Sequence, residues 1–145
     1  MKVLGFGMRR LARQEALEVS SRLEELDVFP GASVEQLLTI AKRGTVISVV
    51  EGWSLMMEKT PADKSYVMLE GTASVRKGDL EIATVAAGDL IGEVALVNHK
   101  LRSATVVATS PLRVLHFTKE AVDELRLEVP AFGRAIEAST KTHSR

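Results

Sequence analysis

Gly92 and Glu93, followed nine residues later by Arg102 and Ser103, are the residues whose types and spacing could do chemistry together. They lie in the stretch GEVALVNHKLRSATV, from Gly92 to Val106. Gly92 permits close backbone approach, and GEVALV reads as a single helical turn. The first N–H groups of such a turn are unpaired and, with the local dipole, favour an anion. Arg102 adds a planar fork of donors suited to two phosphate oxygens at once, and Ser103 a hydroxyl donor. Glu93 would repel a phosphate but can accept a hydrogen bond from a neighbouring hydroxyl. One acceptor for a hydroxyl and one fork for an anion, a loop-width apart, fit a ribose with a free 2′-OH and a compact phosphate.

The elements that must position these groups are legible from periodicity. Residues 9–27 read as a helix, with Ala12, Ala16, Val19, Leu23 and Leu26 forming a narrow apolar seam. That seam is expected to pack on the chain's own body; the alternative is a contact between two copies, a homodimer. DVFPG ends the helix, and Ser33 with Gln36 forms a capping-box pattern ahead of Val34, Leu37, Leu38 and Ala41. Gly44 marks the stop. From Thr45 to Phe117 the texture is β-branched, alternating and punctuated by glycines, which predicts seven or eight short strands in a sandwich or barrel. Lys77-Gly78 reads as a tight hairpin between two alternating runs. Thr118 caps the next helix, and Pro130 opens a last one with Phe132, Ala135, Ile136 and Ser139 on one stripe. Between Gly88 and Arg102 the alternation stops, and a loop that interrupts a rigid β-framework is where binding residues concentrate.

Composition narrows the function classes. The 145 residues suit one domain, and Lys+Arg and Asp+Glu both count 19, so the net charge is zero. That balance argues against broad phosphate-driven binding to nucleic acid. There is no cysteine, which removes disulfides, thiolate nucleophiles and Cys-ligated zinc. No apolar run resembles a signal peptide or a membrane span, so the expected setting is cytoplasmic. His99, His116 and His143 are far apart and give no metal-ligand spacing; His116 is expected to be a satisfied structural histidine and Trp53 a core residue. No Ser-His-Asp order or paired carboxylates stand out, so no metal, cofactor or enzymatic activity is expected.

The stretch resembles the phosphate-binding cassette of cyclic nucleotide-binding domains, the module of catabolite activator proteins, kinase regulatory subunits and nucleotide-gated channels. The family pattern is Phe-Gly-Glu-apolar-Ala-Leu, a short gap, then Pro-Arg-small-Ala-Thr/Ser-Val; here Gly92-Glu93-Val94-Ala95-Leu96 precedes Arg102-Ser103-Ala104-Thr105-Val106. The resemblance extends over about residues 22–140, and its paired blocks are far more specific than a lone Gly-Glu. Three departures stand out. Ile91 replaces the usual Phe. Leu101 replaces the Pro before the arginine, so the backbone there is less fixed. EKTPADKSY lacks the glycine usual before the central hairpin.

The resemblance implies an eight-stranded jelly-roll β-barrel, mainly β with flanking helices. Residues 1–145 would form one domain: helices over 1–44, the barrel over 45–117 with its cassette at 88–106, and helices over 118–145. Glu93 would bind the ribose 2′-hydroxyl and Arg102 the cyclic phosphate, with Gly92, Ala95 and Ser103 giving backbone or hydroxyl donors. The ligand would be a cyclic mononucleotide, cAMP favoured over cGMP, and the terminal helices would relay its presence to a protein partner in signal transduction. Phe132 could stack on the base, although its helical spacing favours the core. About a dozen residues follow Gly133, too few for a DNA-reading helix-turn-helix, so no nucleic-acid output is expected. The alternative is a degenerate, non-binding copy serving as an interaction or dimerisation module through the 12–26 seam or the 132–139 stripe.

Overall fold

A computed structural model describes residues 13–92 and 101–143. Helix α1 spans Arg13–Glu25, and Ala16, Val19 and Leu23 of the predicted seam are fully or nearly buried in the chain's own core. Helix α2, Val34–Lys42, begins with the full capping box: Gln36 N–H donates to Ser33 Oγ, and Ser33 N–H donates to the Gln36 side chain. The chain leaves α2 through Gly44, where a Cβ would sit 2.6 Å from Leu115 Cδ1, so only glycine lets the helix end lie on the sheet.

Eight strands follow among the described residues: β1 Thr45–Val49, β2 Ser54–Met56, β3 Lys64–Glu70, β4 Thr72–Lys77, β5 Leu80–Ala86, β6 Leu90–Ile91, β7 Thr105–Ala108 and β8 Leu112–Thr118. They form two four-stranded antiparallel sheets, ordered β1-β8-β3-β6 and β2-β7-β4-β5. The β4–β5 turn is Gly78-Asp79, one residue beyond the predicted Lys77-Gly78 pair, because Lys77 still pairs with Leu80. Helices α3, Lys119–Glu128, and α4, Pro130–His143, close the chain; Thr118 Oγ1 accepts from Ala121 N–H to cap α3.

Two-residue alternation sorts the first sheet into two faces. Val67, Leu69, Leu90, Leu115 and Phe117 point to the helices and join Leu23, Phe29, Ile40, Leu125, Phe132 and Ile136 in one cluster. Tyr66, Met68, Ile91, Leu112 and Val114 point to the second sheet and meet Ala73, Val106 and Ala108. Strand β8 is therefore buried on both faces, which explains its nearly unbroken apolar run. Phe132 stacks on Phe29 at 5.2 Å and meets Phe117 edge-on at 5.7 Å. Arg43 at the end of α2 reaches Glu124 at 2.9 Å and Glu128 at 2.7 Å on α3, orienting the two helices more than stabilising them.

The 12–26 seam packs on the chain's own body as expected, and its alternative use as a partner surface, with that of the 132–139 stripe, is not what the packing favours: Ala16, Val19 and Leu23 of the first, and Phe132 and Ile136 of the second, are inside the helical cluster; Ala12 lies outside the described residues. One expectation changes. Trp53 is 58% exposed rather than core, because it sits just after the β1–β2 turn while its backbone alone pairs with Ala108. Accordingly, Phe132→Ala should cost about 3–5 kcal/mol in urea unfolding, the loss for a fully buried aromatic, whereas Trp53→Ala should fall within about 0.5 kcal/mol of the parent.

Candidate functional site

The site is built where β3, β6 and the segment entering β7 converge. Arg102 is 5% exposed. Its Nη1 donates to Gly92 O at 2.7 Å and its Nη2 to Lys64 O at 2.6 Å, so the fork bridges the start of β3 and the residue after β6. Charged donors on carbonyls at these lengths are strong bonds, and they offset part of the cost of taking a guanidinium out of water. Gly92 has φ +84, and a Cβ there would meet Arg102 Nη1 at 2.6 Å. Glycine is thus required twice, by conformation and by contact.

The backbone of Arg102 is held as firmly as its side chain. Its N–H donates to Thr60 O at 2.9 Å and its C=O accepts from Lys59 N–H at 2.8 Å, with Pro61 and Leu101 bridged beside them. The expectation that Leu101 in place of proline leaves this backbone loose is therefore corrected: the β2–β3 segment supplies the constraint. That segment also accounts for the missing glycine. Lys59 takes φ 67, the left-handed region a glycine would occupy without strain.

Of the sequence-predicted site residues, the structure brings Gly92 and Arg102 together. Ser103 is exposed between buried Arg102 and Ala104. Glu93 and Ala95, like the predicted helical turn and His99, lie outside the described residues. Sequence reasoning missed the carbonyl of Lys64, the Lys59–Thr60 clasp and Tyr66. Backbone acceptors and a left-handed lysine carry no residue-type signal, so nothing in the string pointed to them.

Tyr66 stands on the inner face beside the arginine. Burial pushes its phenol above the usual 10.0, the Arg102 charge opposes that rise, and Asp63 adds to it. Its ring lies 5.8 Å from that of His116, one strand over. His116 is 2% exposed and its Nε2 has no hydrogen-bond partner, so it is not the satisfied structural histidine expected. Burial first, and the Lys64 charge second, hold its pKa below 6.5, with Asp63 opposing. Among the described residues no group of three or more His, Asp or Glu could hold a metal, and no helix is long and apolar enough to cross a membrane. Two open clefts of about 410 and 330 Å³ lie elsewhere, one along Arg126 and Glu137 and one between Pro30, Gly88 and Ala135. Neither is lined by Gly92 or Arg102, so neither adds to this site.

Comparison with known proteins adds an independent observation. Residues 46–128 match the family model described as the cyclic nucleotide-binding domain. The chain is 30% identical over 117 residues to a cGMP-dependent 3′,5′-cGMP phosphodiesterase A of Dictyostelium discoideum, covering 81% of this chain and 13% of that protein. It is 29% identical over 121 residues to a cAMP-dependent protein kinase regulatory subunit of Aspergillus fumigatus, covering 82% and 29% respectively. The chain thus spans less than a third of the length of these curated relatives. Its fold superposes with a TM-score of 0.79 on the regulatory domain of Toxoplasma gondii protein kinase A with cAMP, at 22% identity, covering 92% of this chain and 51% of that one.

Two outcomes follow from the local geometry. Lys59→Gly should raise stability by about 1 kcal/mol in urea unfolding, since it relieves a left-handed side-chain clash. The second concerns His116, which binds a proton more weakly folded than unfolded. Its contribution to stability is fully present above about pH 6.5 and is lost as pH falls through that value toward the lower folded pKa. A urea midpoint that drops between about pH 7.5 and about pH 5.5 should drop less in His116→Phe.

Proposed function

The chain belongs to the cyclic nucleotide-binding domain family, and from that premise we propose that it binds a cyclic mononucleotide, cAMP in preference to cGMP. The observation that carries the reading is the buried Arg102 fork, seated against Gly92 and fixed at both backbone and side chain. A guanidinium held in place before a ligand arrives loses little further freedom on binding an anion. In this reading Arg102 takes the cyclic phosphate, Glu93 accepts from the ribose 2′-hydroxyl, and Gly92, Ala95 and Ser103 contribute donors. The role is binding and not catalysis.

Residues 1–145 act as one domain here, with the barrel over 45–117 receiving the ligand and the helices over 1–44 and 118–145 reporting it. Both helix pairs share one cluster with the outer face of β3 and β8, so a shift at the cassette has a packed route to them. The mechanism is a population shift between helix arrangements that a protein partner distinguishes, in the cytoplasm. A homodimer would not use the α1 seam, whose apolar positions are already committed to the core. The preference for cAMP rests on the resemblance alone; the two curated relatives are named for cGMP and for cAMP, one each.

The second reading is a non-binding interaction module. It takes support from the same fork, because two of the bonds that hold Arg102 are internal. Calorimetry separates the readings. The parent chain should bind cAMP, and Arg102→Ala should weaken binding tens- to thousands-fold, the equivalent of about 2–5 kcal/mol. Arg102→Lys should also bind weakly, since it keeps the charge and loses the fork. No heat and no thermal shift of the parent with either cAMP or cGMP would leave the interaction module as the function.

A further inference from the structure

We propose that Glu58 is a positioning residue that ties the tip of the β4–β5 hairpin to the backbone of Arg102. This deepens the reading of Arg102 as the phosphate anchor and rests on it.

Glu58 lies in the segment between β2 and β3 and makes two contacts in different directions. Its carboxylate Oε1 accepts from Gly78 N–H at 2.8 Å, at the turn of the hairpin. Its own N–H donates to Thr105 Oγ1 at 3.0 Å, at the start of β7 and three residues beyond Arg102. The next two residues do the holding: Lys59 N–H donates to Arg102 O, and Thr60 O accepts from Arg102 N–H. Thr60 Oγ1 closes the segment on itself by donating to Met57 O.

The segment carries strain, because Lys59 sits at φ 67. A side-chain-bearing residue stays in that region only where surrounding bonds over-determine it. Glu58, the residue before it, supplies two of those bonds, one from its side chain to the hairpin and one from its backbone to β7. Without its carboxylate the segment can relax away from the left-handed turn, and the amide and carbonyl that grip Arg102 go with it. The hairpin gains a role from the same tie. Val75 and Val85 on its two strands pack against the inner cluster, and Leu80 and Ile82 beyond them are 69% and 48% exposed. A hairpin displaced at its tip therefore pulls on the arginine through one carboxylate.

Amide hydrogen exchange on the full chain reads the tie without any ligand. Glu58→Ala should speed exchange at Gly78, Lys59 and Arg102 by about tenfold, the loss of roughly one hydrogen bond's net worth. Glu58→Gln, which keeps an acceptor oxygen, should restore most of the protection. Thr72→Val removes the 2.9 Å hydroxyl contact with Thr109 at the other end of the same hairpin and should leave the Lys59 and Arg102 amides unchanged. In calorimetry with cAMP, Glu58→Ala should weaken binding about three- to tenfold and Glu58→Gln should recover it. Unchanged exchange at Lys59 and Arg102 in Glu58→Ala would overturn the proposal. So would equal acceleration in Thr72→Val, or parent-like cAMP affinity in Glu58→Ala. A parent chain that binds no cyclic nucleotide counts against the binding function alone, since the amides still report whether Glu58 holds Arg102.

Discussion

Everything in the site depends on how the chain keeps one guanidinium out of water. A charge that leaves bulk solvent loses hydration worth several kcal/mol even after relaxation, and it stays buried only where donors meet well-placed acceptors. Arg102 meets two of them in backbone carbonyls, Lys64 O at the start of β3 and Gly92 O just after β6. Backbone carbonyls have no rotamers to change, so they hold the fork's plane through the main chain. The requirement propagates. Gly92 must be glycine because the fork lies where its Cβ would be, and residues 59 and 60 must fold back so that the arginine's own backbone is paired.

The two cores divide the labour around that charge. One cluster, between the first sheet and the helices, is large and aromatic, with Phe29 and Phe117 both in contact with Phe132. The other, between the sheets, mixes small residues such as Ala73 and Ala108 with Tyr66 and Met68, and it is the face that Tyr66 shares with Arg102. Strand β8 belongs to both, with Val114 and Leu112 in the inner cluster and Leu115 and Phe117 in the cluster that holds α3 and α4. His116 sits on that strand with an unpaired Nε2, a polar flaw in an otherwise apolar layer. Its cost is held down by keeping the imidazole neutral.

Where the reading from residue types failed, the failures share a cause. Trp53 is large and apolar, but it follows the β1–β2 turn, and there it is mostly exposed. The apolar seam of α1 is expected on the chain's own body, yet residue types alone leave a partner contact open for it and for the α4 stripe. Only the packing of Leu23 and Ile136 into one cluster assigns them to the body. Leu101 in place of proline suggested a looser arginine, yet the pairing of Lys59 and Thr60 with Arg102 restores the constraint from a segment about forty residues away in sequence. A long-range bond of this kind joins main-chain atoms that every residue carries.

The amino-acid order alone determined what repeats locally. Apolar, β-branched runs between glycines marked the strands, Ser33-Gln36 and Thr118 set helix starts, and the paired Gly92-Glu93 and Arg102-Ser103 blocks marked the candidate site. Those features depend on side chains a few residues apart, so a short window contains their physics. Tertiary structure decided the rest: that Gly92 lies against Arg102, that Lys64 supplies the second carbonyl, that Lys59 and Thr60 pair with the arginine's backbone, and that the Glu58 carboxylate reaches Gly78. Backbone donors and acceptors are the same at every position, and only the closed sheet topology chooses which of them meet.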